Sequence, residues 1–121
     1  MSTILLVEDE IMILDTTREL LELLDHQVFA VGSGAKALEL LAERKGQVDL
    51  VLLDLSLPDM NGHQLLTIFA ADYPNLRIVI CSGALPDELD FKNQPTVKGI
   101  LNKPFELSEL RNIVSKSING E

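Results

Sequence analysis

The sequence predicts an α/β protein in which five parallel strands form a doubly wound sheet with helices on both faces. Short continuous apolar runs, typical of strands buried on both faces, alternate with longer stretches whose apolar residues recur at helical spacing. The alternation repeats five times within 121 residues, a length that suits one domain. Right-handed crossovers leave few topologies, of which the strand order 2-1-3-4-5 is the expected one. We therefore expect residues 1–121 to form a single domain.

Each predicted strand is a short, mainly apolar run. The five strands are Thr3–Val7, Val28–Val31, Asp49–Leu53, Arg77–Cys81 and Gly99–Asn102. The predicted helices carry apolar residues three or four positions apart. They run from Ile11 to about Leu24, from Gly34 to about Lys45, from His63 to Tyr73 and from about Glu106 to Ile118. Ser33 directly precedes the second helix and is its expected N-cap.

The segment Ala84–Val97, where the helix between the fourth and fifth strands belongs, is irregular in composition. It contains Pro86 and Pro95, several polar residues and little apolar periodicity. We expect at most a short, mobile helix between about Pro86 and Lys92. The fourth-helix region is therefore predicted to be short or irregular.

Charge and composition narrow the class of function. The formal net charge is −9, which argues against binding nucleic acid or an anionic membrane surface, since both require a basic face. No apolar run approaches the roughly 18 residues of a membrane span, and the N-terminus lacks the basic region of a signal peptide. The single cysteine, Cys81, lies in an apolar run and is expected to be a core residue. We expect a cytoplasmic protein.

Polar residues follow four of the five predicted strands. Glu8 and Asp9 follow the first, Asp54 the third, Ser82 the fourth and Lys103 the fifth. Ligands of such sheets bind beyond the carboxyl ends of the strands, so these side chains are expected to converge. Crowded carboxylates repel one another and suit Mg²⁺, whereas a lysine and a hydroxyl suit phosphate oxygens. Each residue alone is more often a cap or a solvated charge, but the set predicts phosphoryl transfer to a carboxylate.

Four segments carry a resemblance to a known family. The sequences LLVEDE, LVLLDLSLPDMNG, VICSG and ILNKPF resemble, in order and spacing, the signature segments of response-regulator receiver domains. The resemblance extends from Thr3 to about Ile118, nearly the whole chain. It implies a flavodoxin-like fold and a role in two-component or phosphorelay signalling.

The resemblance also implies roles for the acidic residues. Asp54 would be the phosphoacceptor, and the donor would be a phosphohistidine on a histidine kinase or a histidine phosphotransfer protein. Asp9 and Asp54 would coordinate Mg²⁺ through their side chains and Ser56 through its backbone carbonyl. Glu8 would act through a metal-bound water. The domain would promote only its own phosphorylation and dephosphorylation and is not expected to be an enzyme otherwise.

The remaining site residues include two departures from the family pattern. By the same resemblance, Lys103 would pair with Asp54 before phosphorylation and with a phosphoryl oxygen afterwards, and Ser82 would bond another phosphoryl oxygen. The Lys103–Pro104 bond would be cis. Ile100 stands where the family usually has the aromatic residue of a rotameric switch. Ala84 offers no side chain to position an attacking water, and it and Ser56 occupy the positions that tune dephosphorylation.

Two other functions remain as alternatives at this point. A degenerate receiver could serve only as a protein-binding module. A haloacid-dehalogenase-type phosphatase also forms an aspartyl phosphate with Mg²⁺, but it needs an acidic residue two positions after its nucleophile, where this chain has Ser56. The missing aromatic and the irregular fourth-helix region favour a domain excised from a hybrid sensor kinase or a larger response regulator.

Overall fold

The computed structural model describes residues 2–55, 57–82 and 96–119. In chain order its elements are β1 (Thr3–Val7), α1 (Ile11–Leu23), β2 (Gln27–Val31), α2 (Gly34–Glu43), β3 (Leu50–Asp54), α3 (Gly62–Asp72), β4 (Ile78–Ser82), β5 (Val97–Asn102) and α4 (Leu107–Asn119). All five strands pair in parallel in the order β2-β1-β3-β4-β5. The predicted fold class and strand order are therefore confirmed. The expectation of a short or irregular fourth-helix region falls almost entirely outside the described residues.

The fifth strand is longer than the sequence pattern predicted. We expected Gly99–Asn102, whereas β5 begins at Val97, which pairs with Ile78 of β4. The β4–β5 register shifts between Ile78 and Val79. β5 is an edge strand that pairs only with β4, so it can contain exposed polar residues. Lys98 is such a residue, and it interrupts the apolar run although it belongs to the strand. Apolar continuity alone therefore underestimates this strand.

The sheet is buried on both faces because successive strand residues point to opposite sides. One face, which includes Leu5, Val51 and Ile78, packs against the buried residues of α2 and α3, among them the fully buried Phe69. The other face, which includes Ile4, Leu52 and Val79, packs against α1 and α4. Helices on both faces fix the positions of the strand ends, where the candidate site lies.

The N-terminus of α2 is capped as predicted. The Ser33 backbone is in the extended conformation, and its side-chain Oγ accepts a hydrogen bond from the Lys36 backbone N–H at 3.2 Å. This contact satisfies one of the amides that the first helical turn leaves without an intrahelical partner. None of the helices within the described ranges has both the length and the apolar character needed to cross a bilayer.

Candidate functional site

Three carboxylates meet at the carboxyl edge of the sheet. Asp54 is the last residue of β3 and is 6% exposed, and Glu8, directly after β1, is 2% exposed. The Glu8 backbone N–H donates to the Val31 carbonyl of β2, which continues the strand pairing beyond Val7. Asp9 is exposed, and each of the three residues offers a carboxylate oxygen within 4.8 Å of the others. Adjacent β1 and β3 bring these acids together although they are distant in sequence.

A lysine from the far side of the sheet reaches into this acidic cluster. The Lys103 Nζ lies 3.3 Å from Asp54 Oδ2 and also forms an ion pair with Glu8 Oε1. Lys103 follows β5, and its peptide bond to Pro104 is cis, as the resemblance implied. Both carboxylate partners are nearly buried, so water screens these contacts less than it would at the surface. Lys103 therefore partly neutralises the cluster.

Burial and mutual contact shift the protonation of these groups. Burial, followed by a hydrogen bond with Asp54, raises the pKa of Glu8 to about 7. Burial lowers the pKa of Lys103, but the hydrogen bond to Glu8 and the charge of Asp54 outweigh it and leave that pKa above its ordinary value. The ammonium is thus held in its charged form, while burial first and the neighbouring Asp54 second disfavour the charged form of Glu8. The cluster carries more negative charge than one lysine can balance.

The donor set fits a hard divalent cation. Carboxylate oxygens are preferred Mg²⁺ ligands, and the combination of one exposed and two nearly buried acids leaves an open side on which waters or a phosphate can complete the coordination. Burial and the contact with Asp54 raise the pKa of Glu8, and a cation bound beside it would favour its ionised form. With Lys103 adjacent, the arrangement can hold a metal, a carboxylate nucleophile and an anionic group together.

Of the remaining predicted site residues, the structure describes Ile100 and the backbone of Ser82 but not Ser56 or Ala84. Ile100 lies on β5 opposite Ile80 and is 37% exposed, so an aliphatic side chain occupies the position where the family usually has an aromatic. The Ser82 backbone ends β4 beside Asn102. Ser56 and Ala84 lie outside the described residues, so their predicted roles remain expectations.

Cys81 lies beside the site without the properties of a nucleophile. It is 6% exposed and, with Glu8, Asp54 and Lys103, lines a cavity of about 10 Å³. Burial raises the pKa of its thiol to about 12, so it remains protonated. The prediction that Cys81 is a core residue is confirmed.

An apolar groove next to the site was not predicted from the sequence. It has a volume of about 420 Å³ and lies between α1 and the segment after β5, with Met12, Leu20, Lys103 and Phe105 among its lining residues. Met12 is 83% exposed and its neighbour Ile11 is 73% exposed. The sequence signal for this groove was the pair of large apolar residues, Ile11 and Met12, at the start of α1. Helical periodicity alone does not show whether such residues are exposed or belong to the core.

Comparison with known proteins agrees with this fold and site. The family model of the response regulator receiver domain matches residues 4–115. The sporulation initiation phosphotransferase F of Bacillus subtilis is 32% identical over 116 residues, which cover 93% of this chain and 90% of that protein. The sensor kinase CckA of Brucella abortus is 32% identical over 121 residues, and this chain spans 99% of its own length but only 13% of the kinase.

A solved structure shows the same architecture. The signal receiver domain of an HD domain-containing protein from Pseudomonas fluorescens superposes with a TM-score of 0.89 at 29% identity, covering 98% of this chain and 95% of that one. The chain therefore belongs to the response regulator receiver domain family. It is a receiver domain whose acidic cluster of Glu8, Asp9 and Asp54 fits the phosphorylation site of that family. Members of this family bind Mg²⁺ at such an acidic pocket and are generally not classical enzymes.

Proposed function

We propose that residues 1–121 form a single receiver domain that accepts a phosphoryl group on Asp54 from a phosphohistidine, with Mg²⁺ as cofactor. The observation that carries this proposal is the convergence of Glu8, Asp9, Asp54 and Lys103 at one sheet edge in a chain of the receiver family. The domain acts on itself alone, promoting its own phosphorylation and dephosphorylation.

The transfer requires an acceptor oxygen, charge neutralisation and a path for the leaving group. An Asp54 carboxylate oxygen forms the new P–O bond while the P–N bond to the donor imidazole breaks and its electron pair returns to that ring. Lys103, 3.3 Å from Asp54, keeps the acceptor oriented and moves to a phosphoryl oxygen after transfer. Ser82, at the end of β4, supplies a second donor to the phosphoryl group.

The metal would be held by the acidic residues of the same edge. Asp9 and Asp54 would supply carboxylate oxygens and Ser56 a backbone carbonyl, and Glu8 would act through a water. A bound Mg²⁺ would supply positive charge that neutralises the phosphoryl oxygens. Exposed Asp9 provides the ligand on the solvent side, where a phosphate arrives. The positions of Ser56 and Ala84 set the rate at which water removes the phosphoryl group.

Mg²⁺ is expected to raise the melting temperature of the apo protein, because it binds the folded acidic cluster and has no matching site in the unfolded chain. At a concentration about 100 times its Kd, the ion adds about 2.7 kcal/mol to the free energy of unfolding. Differential scanning calorimetry measures the shift. Screening by salt also relieves repulsion, so NaCl of equal ionic strength is the control. Equal shifts with both salts would count against a specific site, and Asp9→Asn should remove most of the Mg²⁺-specific part.

The phosphoryl donor is proposed to cover the apolar groove beside Lys103. A phosphohistidine can reach Asp54 only if its protein covers the surface around the acidic edge, and the groove adjoins that edge because Lys103 lines both. Met12 presents an exposed apolar side chain at this position. The helices of a histidine kinase or histidine phosphotransfer protein are the proposed occupant, since they carry the phosphohistidine. The proposed setting is a cytoplasmic pathway in which this domain belongs to a hybrid kinase or a larger regulator.

Met12→Glu is expected to slow transfer from a phosphohistidine donor at least about tenfold, since it places a charge in the buried centre of the contact. Phosphorylation by acetyl phosphate, which needs no docking surface, should be unchanged. Leu23→Glu is the matched control, because Leu23 is 74% exposed at the opposite end of the same helix. Equal transfer rates for Met12→Glu and Leu23→Glu would place the donor on another surface.

A further inference from the structure

The loop that follows Asp54 is fastened to α2 by one carboxylate. Asp59 Oδ1 accepts a hydrogen bond from the Gly34 backbone N–H at 3.0 Å, and its Oδ2 accepts one from the Ala35 backbone N–H at 2.9 Å. These are the first two amides of α2, which have no intrahelical acceptor. The two hydrogen bonds and the positive end of the helix favour the ionised carboxylate. The donors of Ala35 and Gly34 lower the pKa of Asp59 accordingly.

The contact between this loop and α2 also involves close packing. A Cβ added at Gly34 would lie 2.7 Å from both Cγ and Sδ of Met60, so glycine allows the loop to rest directly on the helix start. We call the contacts of Asp59 and Met60 with Gly34 and Ala35 the loop clasp. The clasp joins segments 25 residues apart in sequence.

The far end of the same loop is fixed against the residue that follows Asp54. A Cβ at Gly62 would lie 2.8 Å from the Leu55 Cα and 3.0 Å from the Leu55 carbonyl oxygen, so the start of α3 touches this backbone directly. Asn61 Oδ1 accepts the His63 backbone N–H at 2.7 Å and completes a capping box with Gln64. The backbone leaving Asp54 is therefore held by α3 at one side and, through the clasp, by α2.

We propose that Asp59 is a positioning residue for the divalent-cation site and acts through the loop clasp. This inference rests on the proposed function, in which Mg²⁺ takes a backbone carbonyl from residue 56 of this loop. Mg²⁺ requires near-octahedral geometry at short distances, so a backbone that drifts loses affinity even when every ligand residue is present. Asp59 touches neither the metal nor the phosphoryl group. Its effect passes through the backbone between Asp54 and α3.

The coupling must be reciprocal. If the clasp strengthens Mg²⁺ binding, bound Mg²⁺ must strengthen the clasp by the same factor. The amides of Gly34 and Ala35 report on the clasp directly because Asp59 is their acceptor. Their hydrogen exchange is therefore expected to slow when Mg²⁺ binds, although α2 carries none of the proposed ligands.

The test compares Mg²⁺ affinity by isothermal titration calorimetry in three variants. Asp59→Ala removes both acceptors and is expected to weaken Mg²⁺ binding at least about fivefold. Asp59→Asn keeps one oxygen and should lie between Asp59→Ala and the wild type. Ser33→Ala is the matched control, since it removes the other side-chain acceptor at the same helix start without touching the loop. It should lower the melting temperature and leave Mg²⁺ affinity unchanged.

Hydrogen exchange measured with and without Mg²⁺ gives a second readout that does not depend on phosphorylation. The Mg²⁺-dependent protection of Gly34 and Ala35 should be present in the wild type and lost in Asp59→Ala. Unchanged affinity in a folded Asp59→Ala protein would overturn the inference and leave the proposed function intact. An equal loss of affinity in Ser33→Ala would also overturn it, because general weakening of α2 would then be the cause. A wild type that binds no Mg²⁺ would overturn both.

Discussion

Asp54→Asn is expected to abolish phosphorylation, because the amide lacks the nucleophilic carboxylate oxygen that forms the P–O bond. Intact-mass spectrometry after incubation with Mg²⁺ and acetyl phosphate should show a gain of one phosphoryl mass for the wild type and none for this variant. The change is nearly isosteric and removes one of two nearly buried, mutually repelling acids. Without Mg²⁺ the variant should therefore be at least as stable as the wild type.

The control variant removes a carboxylate that lies just before the start of β3, at the opposite end of the strand from Asp54. Asp49 is exposed and lies just before β3, where its Oδ2 accepts the Thr3 backbone N–H at 2.7 Å. Asp49→Asn should be phosphorylated like the wild type. Phosphorylation of Asp54→Asn at an undiminished level would show that another residue is the acceptor.

Lys103→Met is expected to slow phosphorylation about 100-fold, the usual cost of removing one positioned donor from developing negative charge. The methionine keeps most of the apolar stem and deletes the ammonium that contacts both Glu8 and Asp54. The same substitution should strengthen Mg²⁺ binding, because the lysine no longer competes for those carboxylates. Phosphorylation rate and metal affinity should therefore change in opposite directions, which a general loss of structure cannot produce.

Mass-spectrometric time courses and titration calorimetry measure the two quantities for Lys103→Met. Lys116→Met is the control, since Lys116 is an exposed lysine on α4. A wild-type phosphorylation rate in Lys103→Met would refute the role assigned to the ammonium. Weakened Mg²⁺ binding would show that Lys103 supports the metal site instead of competing with it.

The strands and their approximate ends could be predicted because apolar runs mark buried parallel strands. The predicted Asp49–Leu53 and Arg77–Cys81 each lie one residue before the observed β3 (Leu50–Asp54) and β4 (Ile78–Ser82), because the polar residues Asp54 and Ser82 still pair in the sheet. The run before Asp54 placed that residue at the sheet edge, and the residues of β1 were predicted without error. Ser33 could be recognised as a cap because capping depends on a short stretch of sequence. These features depend on local sequence and on the rule that ligands bind beyond the carboxyl ends of the strands in a parallel sheet.

The features that could not be predicted depend on contacts between distant segments. The orientation that buries Glu8 and exposes its neighbour Asp9 is decided by packing around the end of β1. The contact of Asp59 with the start of α2 depends on the strand order β2-β1-β3, in which only β1 separates the two strands whose following segments carry these groups. No periodicity in the sequence marks Asp59, since an acidic residue between Pro58 and Met60 reads equally well as a solvated turn.

The most direct test of the account is to locate the phosphoryl group. The protein is incubated with acetyl phosphate and, separately, with a phosphorylated histidine phosphotransfer protein, each with Mg²⁺ or with EDTA. Reduction with borohydride traps the acyl phosphate for peptide mapping. Modification is expected at Asp54 alone, and only with Mg²⁺. Modification of another residue, equal modification in EDTA, or none from either donor would contradict it.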